Sequence, residues 1–430
     1  MVGTTPNVRE RARRRIARRL LPFLFVLYVI AYIDRVNVSY AALEMTRDLR
    51  FSDAVFGFGA GIFFVGYFLL EIPGTLLVEL WSARKWIARI MISWGILTIL
   101  IAQIHTAREF YILRFLLGAA EAGFFPGIIV YFTHWFCQED RGKAVAMFMA
   151  AIPIANIIGS PLAGVLLGMH WLGVEGWRWL FVVEGIPAVA FGVVALFYLT
   201  DWPQEARWLP ANERDWITGE LEKEKAAKKR LRPLTSWQAL ARPEVLVLTL
   251  SYFLALLGAY GYSTWLPTIL KRASGLPNLT VTLLAALPSV AALGAILWTG
   301  WHSDRTQERH WHTAVPLATA AIFLALASIL GSSFWLGLAA YVVVGAGVIA
   351  WFPSFWALPT ALLSEAAAAT SIGLINSIGN LGGFAGPYLM GYLTTRTHSF
   401  RFGLICLLSA LFLSSGLILS LRPRAPRTPA

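Results

Sequence analysis

The chain has 430 residues, of which 57% are hydrophobic and only 14% are charged, and its formal net charge is +12. A soluble protein of this length needs more polar surface, and a β-barrel would show short segments of alternating polarity, which the sequence lacks. Apolar runs of roughly 18 or more residues recur along the chain, each long enough to cross a bilayer as a helix. The composition therefore predicts an all-α, polytopic membrane protein.

The apolar runs predict twelve membrane-spanning helices in two groups of six. The first six segments cover residues 20–43, 55–79, 86–104, 109–133, 142–168 and 178–200. The second six cover residues 244–270, 280–301, 312–331, 334–360, 368–394 and 401–421. We therefore expect two six-helix bundles, 20–200 and 244–421, with tails at 1–19 and 422–430. The polar stretch 201–243 contains ELEKEKAAKKR and predicts a partly helical linker.

The distribution of Lys and Arg predicts the orientation of the chain. Of these 36 residues, 26 lie in the tails and loops of one side and eight lie on the other. Because cytoplasmic loops carry the excess of positive charge, both termini and the linker should face the cytoplasm, with the bundles in the inner membrane. The basic residues are scattered over membrane-flanking loops, so the net charge reports topology and argues against nucleic-acid binding.

The remaining two cations lie deep inside the first group of segments, where charge is costly unless it is paired or hydrated. The stretch VLYVIAYIDRVNVSYAAL carries Asp34 and Arg35, and the fourth segment carries Arg114 and Glu121. With a rise of about 1.5 Å per residue, Asp34 and Arg114 reach comparable depth, so we expect them to pair. Glu121 lies two turns after Arg114 on the same helix face, near the middle of the membrane.

These four residues suit a proton-coupled anion carrier. A guanidinium binds a carboxylate with two parallel hydrogen bonds and stays charged. Burial penalises the charged form of a carboxyl group, so Asp34 or Glu121 can take up a proton. That proton would release an arginine from its internal partner and free it for the substrate. The alternative is that the four charges only hold helices together, and two arginines in one half of the cavity make that alternative less favoured.

Two other buried carboxylates are expected to be structural. Glu184 lies about two turns from the outer end of the sixth segment, where water or backbone groups can reach it. Glu71 precedes Pro73, so we assign it to the backbone groups that this proline leaves without a partner. The two cysteines, Cys137 and Cys406, give no disulfide framework and no metal-ligand spacing.

Six plus six helices with a cytoplasmic linker resemble the major facilitator superfamily. The loop GWHSDRTQER is similar to the G-x-x-x-D-R signature of that superfamily, which implies gate contacts for Asp304, Arg305 and Arg309. The equivalent loop of the first half, TLLVELWSARK, departs from the signature but keeps Arg84. Over residues 15–421 the chain resembles the anion:cation symporter family, through YIDRVNVSYAAL, RFLLGAAEAGFFPGIIVYFTHWF, GWRWLFVVEGIPAV, FWALPTALL and INSIGNLGGFAGPYLMGYL.

This resemblance implies proton-driven import of a small organic carboxylate such as tartrate, an aldarate, an aldonate or an aromatic acid. It implies proton coupling by Asp34 and Glu121 and a substrate contact by Arg35, and it matches Arg114 to an arginine paired within the N-terminal half. The other positions that it places near the substrate are Tyr67, Asn156, Tyr260, Trp356, Asn376 and Asn380. It implies no cofactor or metal, protons as the coupling ion, and a monomer whose partners are the lipid bilayer and the anion.

Three other functions compete with this one, and one of them, a nutrient receptor without transport, is excluded only by flux measurements. An organophosphate:phosphate antiporter would be expected to place an arginine on both the first and the seventh segments. The seventh has only Lys271 and Arg272, both at its outer end, which favours symport. An intramembrane enzyme would need a nucleophile–base pair or metal ligands at depth, and all seven histidines lie at or near segment ends or in loops.

Overall fold

The computed structural model describes residues 7–228, 242–330, 333–362 and 365–421. These residues form helices and no strand, which confirms the all-α prediction. The start of the predicted N-terminal tail, the second part of the linker and the C-terminal tail lie outside the described residues.

The helices follow the predicted order of two groups joined by a linker. The N-terminal half contains α1 (Val8–Asp48), α2 (Asp53–Leu80), α3 (Ala83–Ile101), α4 (Ala107–Glu121), α5 (Phe124–Trp135), α6 (Gln138–Met149), α7 (Ala151–Leu167) and α8 (Gly176–Tyr198). The linker contains α9 (Ala211–Lys228), which includes most of the charged run predicted to be helical. The C-terminal half contains α10 (Pro243–Ser274), α11 (Asn278–Thr306), α12 (His310–Ile329), α13 (Phe334–Ala350), α14 (Phe352–Leu362), α15 (Glu365–Asn380), α16 (Gly382–Thr397) and α17 (Arg401–Ser420).

Within the described ranges, ten helices are long and apolar enough to cross a membrane, when helices that continue across a bend are joined. The other two predicted spans are α3, which packs along α8, and α15 followed by α16. Four predicted spans are each made of two helices that meet at a bend, namely α4 with α5, α6 with α7, α13 with α14, and α15 with α16.

The first helix begins twelve residues before the predicted span, at Val8 instead of residue 20. Ion pairs support this extension. Arg13 contacts Asp140 on α6 at 2.6 Å, and Arg15 contacts Glu213 on α9 at 3.0 Å. Because tertiary contacts stabilise a helix more than propensity does, the basic stretch that we predict as a tail forms the first turns of α1.

The two halves are joined mainly at the end of the molecule that lies opposite α9, which we call the far end. There α2 packs along α16, and α7 packs along α11. Arg272 contacts Asp53 at 2.8 Å, and Asn278 donates to Glu44 at 2.7 Å. The end that carries α9 and the first turns of α1 is called the linker end. A hydrogen bond between side chains of α2 and α15 also joins the halves, farther from the far end than the contacts of Asp53 and Glu44. The far end is therefore the closed side of the central cavity.

Helices α2 and α4 of the N-terminal half pack closely at Gly118, which leaves no room for a larger side chain there. A Cβ atom at Gly118 would lie 1.9 Å from the backbone oxygen of Phe63. Gly118→Ala should therefore push the two helices apart, which we expect to cost about 1–3 kcal/mol and to lower the thermal midpoint of the purified protein.

Gly142→Ala on α6 is the matched control, since nothing lies within 4 Å of its added Cβ. This substitution should leave the midpoint unchanged or raise it slightly, because alanine favours a helix over glycine by about 1 kcal/mol. Equal thermal midpoints of the two variants would contradict the close packing of α2 and α4.

Candidate functional site

A cavity of about 190 Å³ lies between the two halves. Its described lining contains two charged residues, Arg35 on α1 and Arg114 on α4, both from the N-terminal half. The C-terminal half contributes aromatic, hydroxyl and amide side chains, among them Tyr260, Asn376 and Asn380. One wall of the cavity therefore carries positive charge, and the described part of the opposite wall is uncharged, with a few polar groups among apolar ones.

Arg35 forms an ion pair with Glu121 at the charged wall. The Nη2 group of Arg35 donates to Oε1 of Glu121, and Glu121 is 2% exposed. The rings of Tyr32, Phe63 and Tyr67 lie 5.4–5.6 Å from the guanidinium carbon, within the range of cation–π attraction. Arg35 thus has one face on the cavity and a carboxylate behind it.

A bend between α4 and α5 fixes the position of Glu121. Glu121 is the last residue of α4, and Gly123 caps α5 with φ at +83°. This left-handed conformation costs glycine nothing, whereas a Cβ would strain it. The sequence EAGFFPG therefore ends one helix just after the carboxylate and starts the next one, which leaves Glu121 at a break in the span.

The expected ion pair between Asp34 and Arg114 is wrong. Asp34 is 1% exposed and accepts hydrogen bonds from Asn37 and Thr98, each at 2.8 Å, and from the indole N–H of Trp94. Depth along the membrane gave the two residues similar heights, but it does not specify the direction in which each side chain points. Asp34 points toward α3, and it is absent from the described lining of the cavity.

Arg114 is instead held by the backbone of α2. It donates to the carbonyl oxygens of Gly59 and Ala60, each at 3.3 Å, and its guanidinium carbon lies 4.9 Å from the ring centre of Phe63. Its buried Nη1 group makes no hydrogen bond within the described structure, and the residue lines the cavity. An unsatisfied cationic donor in a buried site strongly favours an anionic ligand.

Most of the other predicted contact residues also reach the cavity. Its lining includes Tyr67, Asn156, Tyr260, Asn376 and Asn380. Asn156 donates one hydrogen bond to Ile152 O at 3.1 Å and keeps its side-chain oxygen for other partners. Trp356 does not line the cavity in this structure. It packs against Tyr252, at 5.0 Å between ring centres, and Tyr252 is the residue that faces the cavity there.

Glu71 is a residue whose place the sequence reasoning missed. It is 3% exposed and accepts a hydrogen bond from Nδ2 of Asn376 on α15. The predicted assignment to the backbone near Pro73 overlooked this contact between the two halves. The sequence did contain a signal for this contact. Glu71 lies deep in a predicted span of one half, and Asn376, a predicted contact residue, lies deep in a span of the other half.

The predicted gate residues lie at the linker end, and none of the following contacts joins the two halves. Arg309 donates to Asp304 at 2.7 Å, and Arg305 lies over the ring of Trp301 at 5.6 Å. The backbone N–H of Arg84 donates to the carboxylate of Asp201 at 2.8 Å.

Comparisons with known proteins agree with this architecture. The family model described as Major Facilitator Superfamily matches residues 24–387. A protein of Agrobacterium vitis named "Putative tartrate transporter" is 45% identical over 421 residues, which cover 98% of this chain and 96% of that protein. A quinolone resistance transporter of Acinetobacter baumannii is 40% identical, with 95% of this chain and 93% of that protein covered.

The fold matches that of a solved transporter. The crystal structure of a bacterial homologue of the human lysosomal transporter Spinster, in an inward-facing and occupied conformation, aligns with a TM-score of 0.77 at 17% identity and covers 97% of both chains. The family match over most of the chain, the close relatives and the shared fold lead to one conclusion: this protein belongs to the Major Facilitator Superfamily and is a multi-pass membrane transport protein, not an enzyme.

Proposed function

We propose that the protein is a proton-coupled symporter that imports a small organic carboxylate across the inner membrane of a bacterial cell, with both termini in the cytoplasm. The observation that carries this proposal is the ion pair of Arg35 and Glu121 at the wall of the central cavity. The pair joins a group that can bind a carboxylate to a group that can bind a proton.

The coupling follows from charge balance. While Glu121 is ionised, it neutralises Arg35, and Arg114 is the remaining cation on the cavity wall. When Glu121 takes up a proton, the pair loses its ionic component, and the guanidinium of Arg35 becomes available to the substrate. Two arginines then face one carboxylate ligand, so proton binding and anion binding strengthen each other. This is a reciprocal linkage, and either ligand raises the affinity for the other.

Asp34 is proposed as a second coupling carboxylate that acts from behind the cavity. Its three hydrogen-bond donors stabilise a negative charge in a site that water does not reach. That charge lies in the same bundle as Arg35 and Arg114 and offsets part of their positive charge. A change in its protonation would alter the field at both arginines without a direct contact to the substrate.

The class of substrate is supported by the lining and by the relatives. Guanidinium groups select a carboxylate, while the amides of Asn156, Asn376 and Asn380 can bind hydroxyl groups. The Agrobacterium vitis relative named for tartrate supports a small hydroxylated acid, and the many rings of the lining also accommodate a flat aromatic acid.

The organophosphate antiporter remains the alternative, and the position of the cations disfavours it. Lys271 donates to the backbone oxygen of Leu276 at 2.7 Å, and Arg272 pairs with Asp53 at the far end. Neither residue belongs to the described lining of the cavity. An arginine from each half, as that mechanism would be expected to require, is not found there.

A first experiment tests the coupling residue. Glu121→Gln should abolish uptake against a concentration gradient and leave counterflow exchange, because the amide cannot cycle a proton. Wild-type binding should tighten as the pH falls, since protonated Glu121 releases Arg35. Binding to the variant should depend much less on pH over the neutral and mildly acidic range, because only the indirect effect of Asp34 remains. The probe is the acid selected by a thermal-shift screen of tartrate, aldarates, aldonates, phthalate and nicotinate, measured in proteoliposomes with and without a pH gradient.

Glu184→Gln is the matched control for this experiment. Glu184 is a buried carboxylate of the same bundle, and no ion pair within 4.0 Å joins it to a described arginine. Concentrative uptake should survive its replacement. Normal concentrative uptake by Glu121→Gln would refute the coupling role.

A second experiment tests the substrate contact. Arg35→Lys should bind the selected acid at least about tenfold more weakly, because an ammonium cannot make the paired hydrogen bonds of a guanidinium, and each hydrogen bond to a charged group contributes about 1.5–3 kcal/mol. Arg141→Lys is the control, since Arg141 pairs with Glu224 at 2.6 Å outside the cavity. Equal affinity of Arg35→Lys and the control would remove Arg35 from the site.

A third experiment tests alternating access. Asp53→Cys with Arg272→Cys, made in a chain with both native cysteines replaced by serine, places one thiol on each half at the far end. A short bifunctional thiol reagent should keep this end closed and stop transport. Each single-cysteine chain should keep its transport after the same treatment. Undiminished transport by the cross-linked protein would contradict the opening of the far end.

A further inference from the structure

The first turns of α1 carry a positively charged face that the transport mechanism does not use. Five arginines share it, with the spacing i, i+3, i+4, i+7 and i+8 that places residues on one side of a helix. They are Arg11, Arg14, Arg15, Arg18 and Arg19. Together with Tyr198 and Trp208 they line an open cleft of about 580 Å³ at the linker end, which we call the arginine cleft.

The charge of the arginine cleft is not balanced by the protein. Its one carboxylate partner within the described residues is Glu213, which is buried at 3.0 Å from Arg15 and 3.8 Å from Arg11. Arg14 and Arg18 are exposed, and neither forms an ion pair within 4.0 Å in that part of the chain. Like charges one turn apart on a helix repel each other.

Arg19 forms one side of the cleft and is held in place by two aromatic rings. Its guanidinium carbon lies 4.6 Å from the ring centre of Tyr198 and 4.9 Å from that of Trp208. The hydroxyl of Tyr198 donates to the backbone oxygen of Arg19 at 3.0 Å, which holds the two helices together. The buried Nε of Arg19 has no hydrogen-bond partner in the described structure. The cleft thus offers fixed cationic donors beside two rings.

The position of the cleft identifies the kind of anion. The apolar part of α1 starts at about Leu20, and Tyr198 is the last residue of the spanning helix α8. Tyrosine and tryptophan with basic neighbours at the ends of spanning helices are typical of the headgroup layer. Phe197, next to Tyr198, is 83% exposed, so an apolar surface adjoins the charged one. An anion with an apolar body therefore fits this place.

We propose that the arginine cleft binds a phosphate-bearing anion, and that its place at the membrane boundary assigns this anion as the headgroup of an anionic phospholipid. Arg14 and Arg18 bind the phosphate diester, which neutralises their mutual repulsion. Arg19 and its two rings form the side of the cleft, and Glu213 keeps Arg11 and Arg15 in place. The bound lipid thereby stabilises the contact between the first turns of α1 and the linker helix α9.

The test uses the full-length protein and phosphatidylglycerol as the probe. The double variant Arg14→Gln/Arg18→Gln should bind this lipid about thirtyfold more weakly than the wild type, which corresponds to about 2 kcal/mol, because each basic residue near an anionic membrane surface contributes about 1 kcal/mol. Binding is measured by native mass spectrometry during a titration, with phosphatidylcholine as the neutral reference and sodium phosphate as the soluble source of the same chemical group.

The control variant is Lys223→Gln/Lys225→Gln on α9, which removes the same charge from the linker end but outside the cleft. It should bind phosphatidylglycerol as the wild type does. Arg14→Lys/Arg18→Lys keeps the charge and should restore most of the affinity, so a folding defect of the Gln variant would be recognised. Unchanged lipid binding by Arg14→Gln/Arg18→Gln would overturn the proposal. A thermal midpoint raised by sodium phosphate alone, with no retained lipid, would overturn the assignment to a phospholipid.

Discussion

The constraint on which this structure depends is that a charge placed inside a membrane protein needs a partner. Arg35 and Glu121 form an ion pair at the wall of the central cavity, while Nε of Arg35 has no hydrogen-bond partner in the described structure, and Asp34 is satisfied by three neutral donors. Arg114 is only partly satisfied, because two backbone oxygens occupy some of its donors and Nη1 has no partner in the described structure. This free donor supports the proposal that the cavity binds an anion. In that proposal, a substrate carboxylate supplies the missing partner of Arg114.

The same constraint explains why both arginines of the cavity lie in the N-terminal half. A cation in each half would repel its counterpart whenever the halves approached, and every change of conformation would have to separate or hydrate two charges. With both arginines in the N-terminal half, the C-terminal half approaches with neutral groups. Glu71 is a carboxylate away from the far end that also joins the halves, because it accepts a hydrogen bond from Asn376. A hydrogen bond to a charged group is stronger than one to a neutral group, so the charge of this buried carboxylate affects how the halves meet.

The sequence was sufficient for the architecture and for placing most of the predicted contact residues at the cavity. Hydropathy runs predict the spans because each of them is a long one-dimensional signal, and the helix α1 extends beyond its predicted span only where ion pairs to α6 and α9 add support. Depth along a helix placed Tyr67, Asn156 and Asn376 correctly near the cavity. Depth failed for Asp34 and Arg114, since the angle at which a side chain leaves its helix decides its partner. Trp94 and Thr98, which bind Asp34, come from α3, and no feature of their sequence marks them as polar partners.

The two groups of arginines in this protein differ in what an unpaired charge costs them. Inside the bundle, low dielectric makes an unpaired guanidinium donor costly, so the free donors of Arg35 and Arg114 beside the cavity support the proposed anion. At the linker end, water and salt reduce the cost of each exposed arginine, and a single one there would carry no argument. Five on one helix face are different, because each additional like charge raises the repulsion that the others experience, while the protein supplies the single carboxylate of Glu213 in the described region. The two proposals of a bound anion therefore rest on different features: the burial of the arginines at the cavity, and the number of arginines at the arginine cleft.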